Sequence, residues 1–250
     1  MYNYSHIDEK WFYMSKKKET YYLLPTDENP LRSCQRKNFI GKVMFLVAMA
    51  RPRFDCEGAQ RRSRNRDVGT LEMKSITSVT REIVKDFLIQ KVIPAIQQKW
   101  LRSRSEEVIF IQQDNARTHL NPNNEAFQVA ATQSGLDIRL VCQPPNSPDM
   151  NILDLGVFNA IQSLQYKESP RSVRELVDAV IKSFNNYSSL SVNYVWLTLQ
   201  LCMLETMKIQ GSNRYKIPHI NELQLEKEGT LPAQISCDPQ IIRNVMDILS

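Results

Sequence analysis

A chain of 250 residues that is 42% hydrophobic and 24% charged carries enough apolar material for one large globular domain, or at most two, which excludes disorder as the default. Its longest apolar run, VMFLVAMA at 43–50, is eight residues and falls far short of the ~20 that a membrane helix needs. A net charge of +5, with basic clusters at 16–18, 61–66 and 99–104, suits a polyanion such as nucleic acid as readily as it suits a solvated surface.

The N-terminus, MYNYSHIDEKW, has neither a signal-peptide core nor the character of a transit peptide, and an intracellular protein is the simplest expectation. Residues 4–14, YSHIDEKWFYM, alternate like a strand. Ile7, Trp11 and Tyr13 fall on one side; His6, Asp8 and Phe12 fall on the other. YYLLP at 21–25 is expected to pair back with this strand, and 39–54 supplies a third, its VMFLVAMA core buried. From 55 to 78 the chain turns polar and reads as a mobile loop containing the arginine cluster.

Ser78-Val79-Thr80 opens a helical pattern of Ile83, Phe87, Val92 and Ile96 that runs to about Trp100, with a kink expected at Pro94. EVIFIQQD, 107–114, is a buried strand ending on an acid; 125–133 is a short helix and 137–143 a further strand. PPNSPDMN then makes a rigid turn before a helix over 152–166. Ser172 with Glu175 forms a capping box for a helix to about 187, and helices follow at 190–209 and 238–249. Strands, a long helix, then strand, helix, strand and helices make a mixed α/β layout with helices flanking one sheet.

Five cysteines at scattered positions form no CxxC pair and read as reduced, mostly buried thiols. Three histidines without ligand spacing leave oxygen as the donor for any metal. The acids are more informative. Asp is depleted in strands, so Asp8 within YSHIDEKWF needs a reason. Asp114 ends its strand at the carboxyl edge, where α/β sheets bind ligands, and the two acids share one edge if their strands are neighbours. Asp154 lies in the first turn of its helix, three residues after a candidate Asn151 cap, and helix capping alone would explain it.

Three carboxylates converging on one point repel unless cations lie between them, and hard oxygen donors favour Mg²⁺, with Mn²⁺ able to substitute. Two such ions ~3.5–4 Å apart suit an in-line displacement at a phosphodiester. The proline-rich turn would then fix the third carboxylate to the tolerance of a metal site.

HIDEKWFYM, QQDNARTH and QPPNSPDMNILDLG, in that order, resemble the catalytic domain of mariner-type transposases, members of the ribonuclease H-like superfamily. The resemblance runs from about residue 4 to 200, and the 39 residues between Asp114 and Asp154 match the plant branch of the family. It implies a ribonuclease H-like mixed sheet, with three antiparallel strands followed by two more, flanked by helices. It also implies that Asp8, Asp114 and Asp154 are the catalytic carboxylates, which hold two Mg²⁺ ions and act on DNA. On the same resemblance Arg117 and His119, with Arg61, Arg62, Arg64 and Arg66 of the loop, are candidate DNA contacts. Glu9, Lys10 and Asn115 could orient carboxylates or meet phosphate. Trp11 is assigned to the core and Asp149 to its own turn.

Residues 1–210 are expected to form the catalytic domain and 211–250 a tail with a short helix. Because Asp8 lies so near the first residue, the family's N-terminal helix-turn-helix module is expected to be absent, and the 55–78 loop looks shorter than the family's clamp insertion. Two functions stay open: a Mg²⁺-dependent enzyme that cuts and joins DNA, or a catalytically silent, transposon-derived module that binds nucleic acid or protein. The partners are DNA, with room for a homodimer and no membrane, and the substrate implies the nucleus.

Overall fold

The computed structural model describes residues 1–14, 40–52, 79–100 and 107–249. Four strands form one sheet among these residues: β1 (Tyr4–Tyr13), β2 (Lys42–Ala50), β3 (Ile109–Gln113) and β4 (Ile138–Cys142), in the order β2-β1-β3-β4. β2 runs antiparallel to β1, with Asp8 opposite Val47, whereas β3 runs parallel to β1 and β4 parallel to β3. The first and fourth expected strands are therefore neighbours. The expected 21–25 strand, the arginine-rich 55–78 loop, Cys34 and Cys56 lie outside the described residues.

Alternation on β1 serves two cores. Ile7 packs with Ile109 and Ile111 beneath the helices α1 (Arg81–Phe87), α2 (Ile93–Lys99) and α3 (Glu125–Gln133). Phe12 points the other way, into a core built from α4 (Phe158–Lys167), α5 (Val173–Asn186) and α6 (Ser189–Lys208). Each large buried aliphatic or aromatic side chain contributes about 1.5–3 kcal/mol of transfer free energy, so the two cores together fix the sheet between helical layers. VMFLVAMA, expected to be buried, is instead half-buried along a sheet edge, where Val43, Phe45, Val47 and Met49 pack on one side only.

Pro94 is absorbed rather than kinking the helix as expected. A π-helical turn, Leu88–Val92, precedes it, and Ile93 donates its N–H to the Leu88 carbonyl five residues back. Pro94 then occupies the first turn of α2, where its missing N–H costs nothing. The same turn puts Leu88 and Ile93 on one buried line, so the buried stripe is Val84, Leu88, Val92, Ile93 and Ile96, while Phe87 faces solvent at 38% exposure. The Thr80, Asn124, Ser172 and Ser188 side chains cap their helices by accepting backbone N–H groups.

α6 is apolar nearly all round, which demands cover on both sides. Trp196, Leu199 and Cys202 face the core. The segment after α6, expected as a tail, covers the other side. It contains α7 (Glu222–Lys227), which the sequence reading missed, and α8 (Pro239–Leu249). Tyr194 donates to Glu226, Thr198 to Glu222, and Gln200 accepts from the Ile235 N–H. Arg51, buried at the end of β2, donates to the Asn193 side chain at 3.0 and 3.1 Å and to the Ala233 carbonyl at 2.6 Å. Of the described cysteines only Cys202 is buried, and all three are free thiols. No helix among the described residues is long and apolar enough to cross a membrane.

Candidate active site

β1 carries Asp8 in its middle, on the face that meets α4–α6, at 8% exposure. Its Oδ1 accepts the Glu9 N–H at 2.7 Å and its Oδ2 accepts Asn151 Nδ2 at 3.1 Å. β1 and β3 pair through His6 and Gln112; continuing that register brings Asp114, the residue after β3, level with Asp8. Asp154 is delivered from the other side. After β4 the chain passes through PPNSP into a 3₁₀ turn (Pro148–Met150) and then a π-helical turn (Leu153–Val157) that contains Asp154. π turns inside helices recur at functional sites.

Asn151 joins these parts. Its Oδ1 accepts the Leu153 N–H at 3.0 Å while its Nδ2 holds Asp8, so one side chain ties Asp8 to the start of the turn that carries Asp154. Gln112 adds a second tie, donating to the Met150 carbonyl at 2.8 Å. The sequence pattern showed Asn151 as a cap but not as a partner of Asp8. Gly156 lets the π turn lie against α6: a Cβ there would meet Val195 at 3.1 Å.

Electrostatics follow from this packing. Burial, and next the Asp154 charge, push the Asp8 carboxyl up to about 7; the Glu9 N–H works against the shift, and the Asp114 and Glu9 charges add to it. The charges of all three aspartates are thus felt at one place. Asp154 is exposed and the Asp114 side chain is 37% exposed, which leaves both open to solvent. Among the described residues no group of three or more His, Cys, Asp or Glu side chains stands close enough to hold a metal ion ready-made. The donor set is nonetheless of the right chemistry for a hard dication, which would offset both the burial and the neighbouring charges that raise Asp8.

His119 is buried, and both of its ring nitrogens are engaged. Nδ1 meets Asp114 Oδ1 at 2.5 Å, and Nε2 meets the Glu9 carboxylate at 3.0 Å. Burial disfavours its charge, but the Glu9 hydrogen bond and charge, with the Asp114 carbonyl and carboxylate, outweigh that and raise it to about 9. As an imidazolium it donates at both ends. Expected in contact with DNA, this ring would have to leave both carboxylates to reach a phosphate. Asn115 bonds the Gln143 carbonyl at 2.8 Å, local bonding in the turn. Arg117 is exposed, and Arg81, which sequence reasoning passed over, donates to the Arg117 carbonyl at 2.8 Å. Among the described residues neither guanidinium pairs with a carboxylate.

Lys10 lies over the Phe158 ring at 5.5 Å, one helical turn beyond Asp154. Trp11 departs from its expected place in the core: it is 39% exposed, with Lys42 over its ring at 4.1 Å. Asp149, expected to cap its own turn, instead accepts the Tyr215 hydroxyl from beyond α6. Arg61, Arg62, Arg64 and Arg66 lie outside the described residues.

No protein-family model matches the sequence, and no curated protein matches it. Solved structures do. The chain is similar to the Mos1 transposase paired-end complex with left transposon end, at 17% identity and a TM-score of 0.53, over 78% of this chain and 50% of that one. It is similar also to the Mos1 mariner paired end complex with Mn (16%, TM-score 0.54, 78% and 50%) and to a pre-cleavage Mos1 transpososome (16%, 0.54, 78% and 51%). Over the matched region the fold is that of the Mos1 mariner transposase chains. It is a mixed α/β architecture, with one four-stranded sheet between helical layers. The chain spans about half the length of the Mos1 chains it matches.

Proposed function

We propose that this chain is a mariner-type transposase catalytic domain that cuts and joins DNA phosphodiesters, with Asp8, Asp114 and Asp154 as the catalytic carboxylates. What supports the reading most is Asp8: a carboxyl buried in a strand of this fold, raised to about 7 by burial and by the Asp154 and Asp114 charges. A protein does not gain stability by crowding carboxylates, so the arrangement fits a site that receives cations.

Asp8, Asp114 and Asp154 would hold Mg²⁺, or Mn²⁺ in its place. Bound there, the ions would activate a water or a 3′-hydroxyl and stabilise the leaving oxygen. The chain's own residues do the positioning. Asn151 holds Asp8 and the Asp154 turn together, and His119 fixes Asp114 against Glu9. Arg117, three residues after Asp114, and Arg81, which donates to the Arg117 carbonyl, would meet the DNA backbone, with Arg61, Arg62, Arg64 and Arg66 as further proposed contacts. DNA ends and target DNA are the partners, a homodimer is the assembly we infer, and the substrate puts the protein in the nucleus. The Mos1 neighbours include complexes with a transposon end and with Mn, consistent with a DNA partner and a divalent metal.

The test is nicking of a supercoiled plasmid by the purified protein with Mg²⁺, Mn²⁺ or EDTA, beside Asp114→Asn. Cleavage that requires metal and falls to the EDTA background in the variant supports the reading. Folded protein that binds DNA without cleaving it in either metal would leave the catalytically silent, DNA-binding module instead.

A further inference from the structure

Two hydrogen bonds reach the proline-rich turn from the far end of the chain. Tyr215 donates its hydroxyl to the Asp149 carboxylate, and Asn213 Nδ2 donates to the Asn146 carbonyl at 3.0 Å. Asn146 sits in the left-handed region at φ 55°, a conformation that asparagine tolerates but that still needs support. Both donors follow directly on α6, whose helix ends through Gln210 and Gly211 at positive φ, reversing the chain toward the turn. The Tyr215 ring is half-buried and packs against the core that α6 helps to build. The turn leads within a few residues to Asn151 and Asp154.

We propose that Tyr215 and Asn213 are positioning residues: a strap after α6 clamps the 144–151 turn and thereby sets Asn151 and Asp154 relative to Asp8. This rests on the proposed function only for its consequence, the metal site; the clamp itself is a property of the fold. Neither residue touches a reacting atom, and both act through the turn. Partners of this kind that orient ligands commonly change metal affinity by about 10–100-fold when removed. Tyr215→Phe keeps the ring against the core and deletes the hydroxyl, and with it the bond to Asp149 and the contacts to Thr206 and Cys202 on α6.

The experiment compares wild type, Tyr215→Phe, Asn213→Ala and Tyr194→Phe. The last deletes a tyrosine–carboxylate bond, to Glu226, elsewhere along the same strap. Amide hydrogen exchange in the metal-free protein reads the clamp. Peptides covering 144–155 should exchange about tenfold faster in Tyr215→Phe and Asn213→Ala, and at the wild-type rate in Tyr194→Phe. Mn²⁺ titration then reads the consequence, with about tenfold weaker binding in the first two variants and unchanged DNA affinity in all. Equal exchange in Tyr215→Phe and wild type overturns the clamp whatever the metal does. Faster exchange with unaltered Mn²⁺ affinity overturns its link to the site. A wild type that binds no Mn²⁺ overturns the metal-dependent function and leaves the clamp to be decided by exchange.

Discussion

At the scale of single residues, Asp8 and His119 set how the metal-free protein responds to pH. A carboxyl raised from its ordinary 3.8 to about 7 favours the folded state while protonated. That contribution is complete below about pH 3.8 and is lost as pH rises through about 7. His119, raised from 6.5 to about 9, stabilises the fold while charged: its contribution is complete below about pH 6.5 and is lost as pH rises through about 9. Both signs agree, so thermal stability in EDTA should fall in two stages between acid and pH 9. Asp8→Asn, neutral throughout, should remove the first stage and His119→Gln the second, as read by melting temperature against pH. Added Mg²⁺ should raise the melting temperature above pH 7 in wild type and not in Asp8→Asn, because the cation competes with the proton on that carboxyl. A melting curve flat from pH 5 to 9 would mean that neither group carries its charge as its surroundings dictate.

At the scale of elements, the π turn of Leu153–Val157 depends on close approach to α6. Gly156 faces Val195, and a larger side chain has nowhere to go without pushing the turn outward. Gly156→Leu should cost about 1–3 kcal/mol by overpacking, measured by chemical denaturation, and Val195→Ala in the same chain should restore part of it. Because Asp154 lies in the pushed turn, cleavage should fall further than stability alone explains. This contact was invisible in the sequence, where Gly156 is one small residue in an apolar run. What was legible followed from local chemistry. The cap at Ser172, the alternation of β1 and the helix bounds over 125–133 come from local side-chain pattern and side chains acting on their own backbone. Asp8 and Asp114 could be placed at one edge only on the condition that their strands are neighbours, a long-range pairing that the β1–β3 register supplies. The π turns were not legible, since each answers a packing demand, from Pro94 in one case and α6 in the other. The Asn151 bond to Asp8 spans 143 positions in sequence, and no periodicity marks such a pair.

At the scale of the whole molecule, charge is distributed in two ways. Arg51 is buried and holds the end of β2, α6 and the C-terminal segment together through neutral acceptors and the Tyr2 ring, 4.6 Å away. Its replacement by Ala should cost about 2–3 kcal/mol, because the acceptors it leaves behind are partly buried. Arg81 and Arg117 do the opposite: both stand exposed beside the Asp114 edge, joined through a backbone carbonyl, where a carboxylate-lined site would otherwise repel a phosphate backbone. If DNA enters over that edge, each guanidinium releases about one condensed counterion on binding. The plot of log affinity against log salt should then become shallower by about 0.9 for Arg81→Ala, by a like amount for Arg117→Ala, and by the sum for the double variant. DNA affinity should drop uniformly across unrelated duplexes, since backbone contacts carry no sequence information. Thermal stability should change little, because exposed groups contribute little to folding. An unaltered salt slope in the double variant would place the DNA path away from the β3 edge, and with it away from Asp114.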